Sequence, residues 1–368
     1  MRKALSSVVA VLLLSAGVCL AGDPVVSNVR AQQRGGGSKL VDIYYDVADS
    51  DGDRLTVGVA LTAGGTAIPA TSLGGAVGSG VAPGSGKQIV WDAGADWAGQ
   101  FSENVRVSVT ADDGRTPSVP QGMVRILGGT NSGTDPDFGA YSLTVEAFSM
   151  DATEVTKAQW DEVYAWALTH GYSFDHVGSG KAANHPVHTV SWYDCVTWCN
   201  ARSQKEGRTP CYNLSTWACN VSANGYRLPT NTEWEYAARG GASNRRFPWG
   251  DRIDHTRANY HAYWSGGVPY DPYDDGYPYD DGYQGYDTRY ATGGYPYTSP
   301  AGAFAANGYG LYDMAGNVWE WCNDTSGSDR AVRGGSWDDD AYDARCRGSS
   351  WDDPGSAGDG GGFRAVCR

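Results

Sequence analysis

The stretch 307–321, Asn-Gly-Tyr-Gly-Leu-Tyr-Asp-Met-Ala-Gly-Asn-Val-Trp-Glu-Trp, decides the fold. Its glycines supply turns that a side chain would block, and Trp319 and Trp321 are large apolar anchors. Two acidic residues, Asp313 and Glu320, sit among them, so the segment joins turn-making, core-making and charge within a few residues.

The whole chain agrees with a loop-rich fold. Gly accounts for 51 of 368 residues, about twice the usual share, while 14 Trp and 23 Tyr give ample material for packed cores. At this length two domains plus a leader are expected. A formal charge of −14 argues against nucleic acid or an anionic membrane surface as partner, and leaves cations and neutral ligands open.

Residues 1–21 read as a secretory signal: Arg2 and Lys3, an apolar run from Val8 to Leu14, then Ala21 at a cleavage point. The expected location is therefore extracellular, at the cell surface, or in the periplasm. A lipoprotein reading through Cys19 is weaker, because Val18 stands where a small residue belongs. No later stretch approaches the ~20 apolar residues of a membrane span.

Residues 22–111 alternate short β-type runs with turns, at Lys39–Val47, Leu55–Ala63, Gln88–Trp91 and Asn104–Ala111, which predicts a small immunoglobulin-like β-sandwich. Asp49, Asp51 and Asp53 suit either Ca²⁺ or a solvated hairpin turn, the turn being preferred. Residues 112–122 have linker composition. Beyond them, three helices are expected. The first is Lys157–Thr169, with Trp160, Val163, Tyr164 and Ala167 on one face. Next comes Trp192–Gln204 behind an N-cap at Ser191, and a third starts at the Thr230–Glu233 capping box. Residues 269–290 form a Tyr/Asp-rich insert in which Pro-Tyr-Asp-Asp-Gly-Tyr occurs twice, at 272–277 and 278–283. It reads as a surface loop grown by duplication, with carbohydrate, protein or Ca²⁺ contact as the functional alternative.

The segment 307–321 is one of an ordered series over 123–368. The others are Met-Val-Arg-Ile-Leu-Gly-Gly-Thr (123–130), Asp-Ala-Thr-Glu-Val-Thr (151–156), His-Pro-Val-His-Thr-Val-Ser-Trp-Tyr-Asp (185–194), Tyr-Arg-Leu-Pro-Thr-Asn-Thr-Glu-Trp-Glu-Tyr-Ala-Ala-Arg-Gly-Gly (226–241), Phe-Pro-Trp-Gly-Asp (247–251), Arg-Gly-Gly-Ser-Trp (333–337) and Gly-Phe-Arg (362–364). In this order they resemble the sulfatase-modifying factor, or formylglycine-generating enzyme, family. That resemblance implies an α+β domain of C-type-lectin-like fold after the β-sandwich.

The resemblance also implies structural Ca²⁺. One site would use the side chains of Asp313 and Glu320 with the carbonyls of Gly316 and Val318, an oxygen-only set of the kind Ca²⁺ favours. A second would use Asn259 and Tyr260 with the Tyr295 carbonyl, but Gly293 stands where the family has an aspartate. Family enzymes oxidise a substrate cysteine with O₂ through two cysteines that hold copper just after Arg-Gly-Gly-Ser. Here Asp339 and Ala341 occupy those two positions, and carboxylates do not replace a Cu(I) dithiolate, so copper is not expected.

Seven cysteines follow the leader: Cys195, Cys199, Cys211, Cys219, Cys322, Cys346 and Cys367. In an oxidising compartment some should pair. The spacing makes Cys211 with Cys219 a plausible local bond, and the resemblance makes Cys199 with Cys367 the preferred one. Zinc is disfavoured because no C-x2-C pair exists.

Where the thiols are missing, the chain carries Trp337, Asp338, Asp339, Asp340, Tyr342 and Asp343, then Trp351, Asp352 and Asp353. The stretch resembles the ligand-facing segment of diversified lectin-fold proteins, and Tyr and Trp give contact area at little entropy cost; a merely solvated loop is the alternative. Three functions follow: a secreted protein that binds a protein or carbohydrate, an oxidative enzyme on the same scaffold, or a self-assembling filament subunit. His185 and His188, the only close histidine pair, sit in a motif that reads as structural.

Overall fold

A computed structural model describes residues 24–368, except 50, 51, 53, 64–65, 101, 103, 115–118, 266–267 and 270–278. The leader, Asp51, Asp53, part of the linker and the first copy of the tandem repeat lie outside the described residues. The chain forms two compact units, Met1–Ser118 and Val119–Arg368.

The first unit is built from period-two strands. In order they are β1 (Val25–Gln33), β2 (Leu40–Ala48), β3 (Leu55–Ala63), β4 (Thr66–Ile68), β5 (Leu73–Gly75), β6 (Gly78–Val81), β7 (Gly84–Asp92), a helical turn α1 (Ala93–Asp96) and β8 (Val105–Asp112). One antiparallel sheet runs β1-β2-β7-β5; in the other, β3 pairs with β8 on one side and with β4 and β6 on the other. Alternate residues point into a shared core: Ile43, Tyr45 and Val47 from β2, and Val105, Val107 and Val109 from β8. Sequence patterning found β2, β3, β7 and β8 but missed β1. There the register shifts between Ser27 and Arg30 and Asn28 takes φ +51°, so the alternation is broken.

The second unit holds β9 (Met123–Ile126), the hairpin β10 (Gly129–Asp135) and β11 (Gly139–Val145), and β12 (Phe148–Asp151). Helices α2 (Lys157–Leu168), α3 (Trp192–Lys205) and α4 (Asn231–Ala238) follow. Each helix starts at a complete capping box, Thr156 with Gln159, Ser191 with Asp194 and Thr230 with Glu233, which satisfies the free amides of its first turn. Trp160 of α2 stacks on Trp198 of α3 at 6.2 Å, and Phe363 meets both edge-on.

Next come two-residue strands β13 (His261–Ala262), β14 (Trp264–Ser265), β15 (Val268–Pro269) and β16 (Gly285–Tyr286). The last are β17 (Trp319–Ser326), β18 (Asp329–Arg333), β19 (Ser349–Asp352), β20 (Gly361–Gly362) and β21 (Val366–Cys367). They form a sheet β19-β18-β17-β20 and a sheet β21-β12-β9 that returns the C-terminus to the start of the unit.

The described second half of the 269–290 insert keeps Asp281, Tyr283 and Gln284 exposed, as the surface-loop expectation has it, but is anchored at its start. Tyr279 and Asp280 are buried: the Tyr279 ring packs on Phe247 at 5.8 Å, and Asp280 accepts hydrogen bonds from the Tyr260 hydroxyl and the Gly282 amide. Main-chain bonds between Ile253 and Tyr279–Asp281 fix it there. A low-complexity stretch borrows a neighbouring core here instead of making one.

The charged centre of this unit is the Arg364 guanidinium, which is fully buried. It donates to both Glu320 oxygens at 2.6 and 2.7 Å and to the carbonyls of Tyr312, Asp151 and Ala152. Arg364→Met is expected to lower the unfolding free energy by about 3–5 kcal/mol, because it strands the Glu320 charge in a dry interior. The double variant Arg364→Met/Glu320→Gln should recover part of that loss. Urea denaturation reads both, and an unchanged midpoint in the single variant contradicts the role given to the pair.

Candidate functional site

The β19-β18-β17 sheet carries the site on one face. Along β17 the side chains alternate, so Glu320 turns inward to Arg364 while Trp319 and Trp321 turn the other way. Register puts Val332 opposite Trp321 and Ser350 opposite Val332, and these residues line the same cavity. The parallel pairing of β17 with β20 requires Gly362, since a Cβ there would lie 2.6 Å from the Val187 carbonyl.

Over this face curl the turn after β18 and the loop from β19 to β20, enclosing about 410 Å³. Asp338, Asp339, Asp343, Asp352 and Asp359 ring the space with Ser336, Ser356 and Trp351, and among the described residues no lysine, arginine or histidine lines it. Asp339 accepts from the Ser336 amide at 3.1 Å, from its hydroxyl, and from the Trp319 indole. Burial pushes the Asp339 carboxyl above the usual carboxylate range. Asp338 accepts from the Tyr286 hydroxyl at 2.6 Å, and Asp352 from the Ser356 hydroxyl at 3.0 Å.

Of the nine face residues read from sequence, the structure gathers Asp338, Asp339, Asp343, Trp351 and Asp352 around the cavity and leaves out four. Trp337 is only 3% exposed and packs among Tyr286, Tyr295 and Tyr297, so it supports the wall from behind. Tyr342 turns away to stack under Arg345 and against Phe138. Asp340 and Asp353 shape their own turns by accepting from the Tyr342 and Gly355 amides. Sequence reading missed Trp319 and Trp321 as wall residues, having taken them for scaffold alone, and missed Asp359.

The copper positions are plain. Asp339 is held as described, and Ala341 is fully buried in a cluster with Phe247, Ala258 and Tyr260. The seven thiols are all free, so neither expected disulfide forms. Cys195, Cys199, Cys211 and Cys367 share one core cluster with Cys219 packed against it, and Cys322 and Cys346 share another; the Cys367 sulfur lies 3.7 Å from that of Met123, and the Cys211 sulfur 3.9 Å from the Ala223 carbonyl. Burial pushes Cys211 and Cys346 up to about 12 and Cys367 to about 11, which keeps them as inert thiols. His185 and His188 bond to the hydroxyls of Thr298 and Thr189, and burial lowers both, as a structural role requires.

The first expected Ca²⁺ site has a partial fit. Glu320 is committed to Arg364 and to the Trp234 indole at 2.7 Å. Asp313, however, lies within hydrogen-bonding reach of the buried Glu154 carboxyl, which the sequence had not suggested. Asp313 Oδ1, Glu154 Oε2 and Ser299 Oγ are buried without a partner. Burial, then each other's charge, pushes Glu154 well above the usual range, and burial brings Asp313 up to about 6. Unpartnered acceptors of this kind suit a hard cation held by Asp313 and Glu154, with Gly316 and Val318 in the adjoining turn. Gly316 is forced by φ +76° and by the Asn259 carbonyl, 2.2 Å from where a Cβ would be.

The second site is not assembled. The Asn259 side chain donates to the Tyr297 carbonyl at 2.9 Å, its own carbonyl accepts from Asn317, and the Tyr260 carbonyl faces His255 at 3.2 Å. The Tyr295 ring is 65% exposed in the tyrosine cluster beside Trp337.

This combination of capped helices, a glycine-punctuated scaffold and a cavity over β17 defines a protein of the formylglycine-generating enzyme fold. Residues 109–368 match the sulfatase-modifying factor enzyme 1-like domain, and the chain belongs to that family. Mouse formylglycine-generating enzyme is 37% identical over 172 residues, 42% of this chain and 36% of that protein. The mouse inactive C-alpha-formylglycine-generating enzyme 2 is 35% identical over 192 residues, 49% of this chain and 48% of its own length. The chain thus spans half or less of these two relatives. Among solved structures, CarF superposes with a TM-score of 0.51 at 27% identity, covering 67% of this chain and 97% of that one.

Proposed function

We propose that this chain is a secreted, non-catalytic binding protein, in which the cavity over β17–β19 receives a protein or carbohydrate ligand and the N-terminal sandwich, of immunoglobulin-like type, serves as spacer. One observation carries the reading: Asp339 and Ala341 stand where the family's thiol pair would, and Asp339 helps form a cavity lined by carboxylates and indoles. With no thiol at those two positions, no copper step can be written there. A relative whose name marks it inactive is a precedent for the scaffold outliving its chemistry. The purified protein is expected to convert no cysteine peptide to formylglycine even with Cu(I) supplied, and to lose binding of its ligand in Trp351→Ala. Mass spectrometry of the peptide and a pull-down from native material check both; aldehyde formation, or intact capture by the variant, removes the reading.

In this reading a calcium ion stabilises the scaffold beside Asp313 and Glu154. It would neutralise two carboxylates that otherwise face each other in a dry interior, and supply no chemistry to the cavity. Chelation with EGTA should lower the thermal midpoint of the wild-type protein by several degrees, and Asp313→Asn should lose that response. Identical melting with and without EGTA, together with no calcium in metal analysis, dismisses the ion.

A second reading, self-assembly, is favoured by the first unit. Among the described residues strand β8 pairs only with β3, which leaves its other edge open to pairing. Beside it Ala31, Val41, Trp91, Val105 and Val107 line a groove of about 440 Å³. Copies pairing through this edge would sediment with a concentration-dependent mass, which a proline replacing Thr110 in β8 should abolish; a constant monomer mass ends this reading.

A further inference from the structure

Charge and wall chemistry together narrow what the cavity over β17–β19 takes. Among the described residues its lining has five carboxylates, from Asp338, Asp339, Asp343, Asp352 and Asp359, three indoles, from Trp319, Trp321 and Trp351, and no cationic side chain. Three of these acids have described neutral donors. Asp338, Asp339 and Asp352 accept from hydroxyls, an indole and backbone amides. On the same sheet, the Arg330 guanidinium lies 3.7 Å over the Trp192 ring and donates to the Asn323 carbonyl. A space of this size bounded by one sign of charge and low-dielectric walls concentrates ions of the opposite sign.

A metal ion fits poorly. Among the described residues no three His, Cys, Asp or Glu side chains converge as a metal site, so these carboxylates are spread around a wall instead of aimed at a point. Indole faces attract large, weakly hydrated cations, and a ring of dispersed carboxylates matches a charge spread over several N–H or C–H groups.

We infer that the cavity is a receptor for one organic cation, an alkylammonium or guanidinium group, carried either by a small amine or by a basic side chain of a partner protein. The inference rests on the binding reading above and assigns that site its ligand class.

Tryptophan fluorescence of the full chain, titrated with butylammonium, butylguanidinium and tetramethylammonium, tests it, with pentanol and methyl glucoside as neutral controls and CaCl₂ as the metal control. Saturable quenching by the organic cations alone is expected, weakening about tenfold between about 0.02 M and about 0.5 M salt. Asp352→Asn and Asp359→Asn, both on exposed residues, should each weaken it by up to about fivefold, and Trp351→Leu by more than Trp351→Phe, with thermal melts confirming that each variant folds. An Nα-acetyl-lysine amide, with its side-chain ammonium free, bound more tightly than butylammonium would place the cation on a protein; the reverse order would place it on a free amine. No saturable response to any cation, or an equal one to pentanol, overturns the inference. Saturation by methyl glucoside that is sensitive to Trp351 overturns the cation but leaves the binding reading standing, whereas formylglycine production removes both.

Discussion

The second unit is organised around the buried contact between Arg364 and Glu320. A guanidinium at zero exposure is tolerable only if nearly every N–H finds an acceptor, and here they come from β17, from the end of β12 and from the turn before Met314. Three segments far apart in sequence are thereby held to one point. Asp151 repeats the device next door: its side chain takes Arg202 of α3 on one side and the Ala365 amide on the other. Helix, strand and C-terminus therefore share one satisfied polar network. A partly satisfied version would be worse than an apolar core, which makes the arrangement close to all-or-none.

That constraint separates scaffold from site. A strand has two faces, and β17 gives Glu320 to the network and Trp319 and Trp321 to the cavity. The loops above the cavity touch the network at few points. Ser336 and Asp339 close their own turn, and the Asp339 carbonyl meets the His261 amide. Residues in those loops can change chemistry without disturbing Arg364. An aspartate and an alanine at the thiol positions are thus compatible with the same fold: Asp339 finds donors in Ser336 and Trp319, while Ala341 simply fills a small buried space.

Much of this was legible in the sequence, for local reasons. Capping boxes are short-range hydrogen-bond patterns, and all three were readable at Thr156–Gln159, Ser191–Asp194 and Thr230–Glu233 once the structure is known; Ser191 and Thr230 were evident beforehand. Period-two strands were evident where alternation is unbroken, as in β2 and β8, and not in β1. What sequence could not give was long-range partnership. Glu154 lies far from Asp313 along the chain, and nothing local marks it as that carboxylate's neighbour. Trp337 and Tyr342 read as ligand-facing because they flank aspartates, yet one is buried behind the wall and the other is spent on Arg345. Tyr279 and Asp280 sat in a repetitive stretch whose composition says solvent, and only a neighbouring core decides otherwise.

The electrostatics of the cavity follow from what replaced the thiols. A dithiolate gathers charge at a soft metal, so its negative charge is neutralised on the spot. The aspartates here are distributed along two loops, and Asp338 and Asp352 accept from hydroxyls that hold their geometry while leaving their charge in place. Asp339 illustrates the cost, since burial already favours its proton and a nearby cation would reverse that preference. The same loop position that serves redox chemistry when it carries sulfur becomes, when it carries carboxylates, a place whose main physical property is an unbalanced negative potential, and recognition of positive charge is what such a potential does.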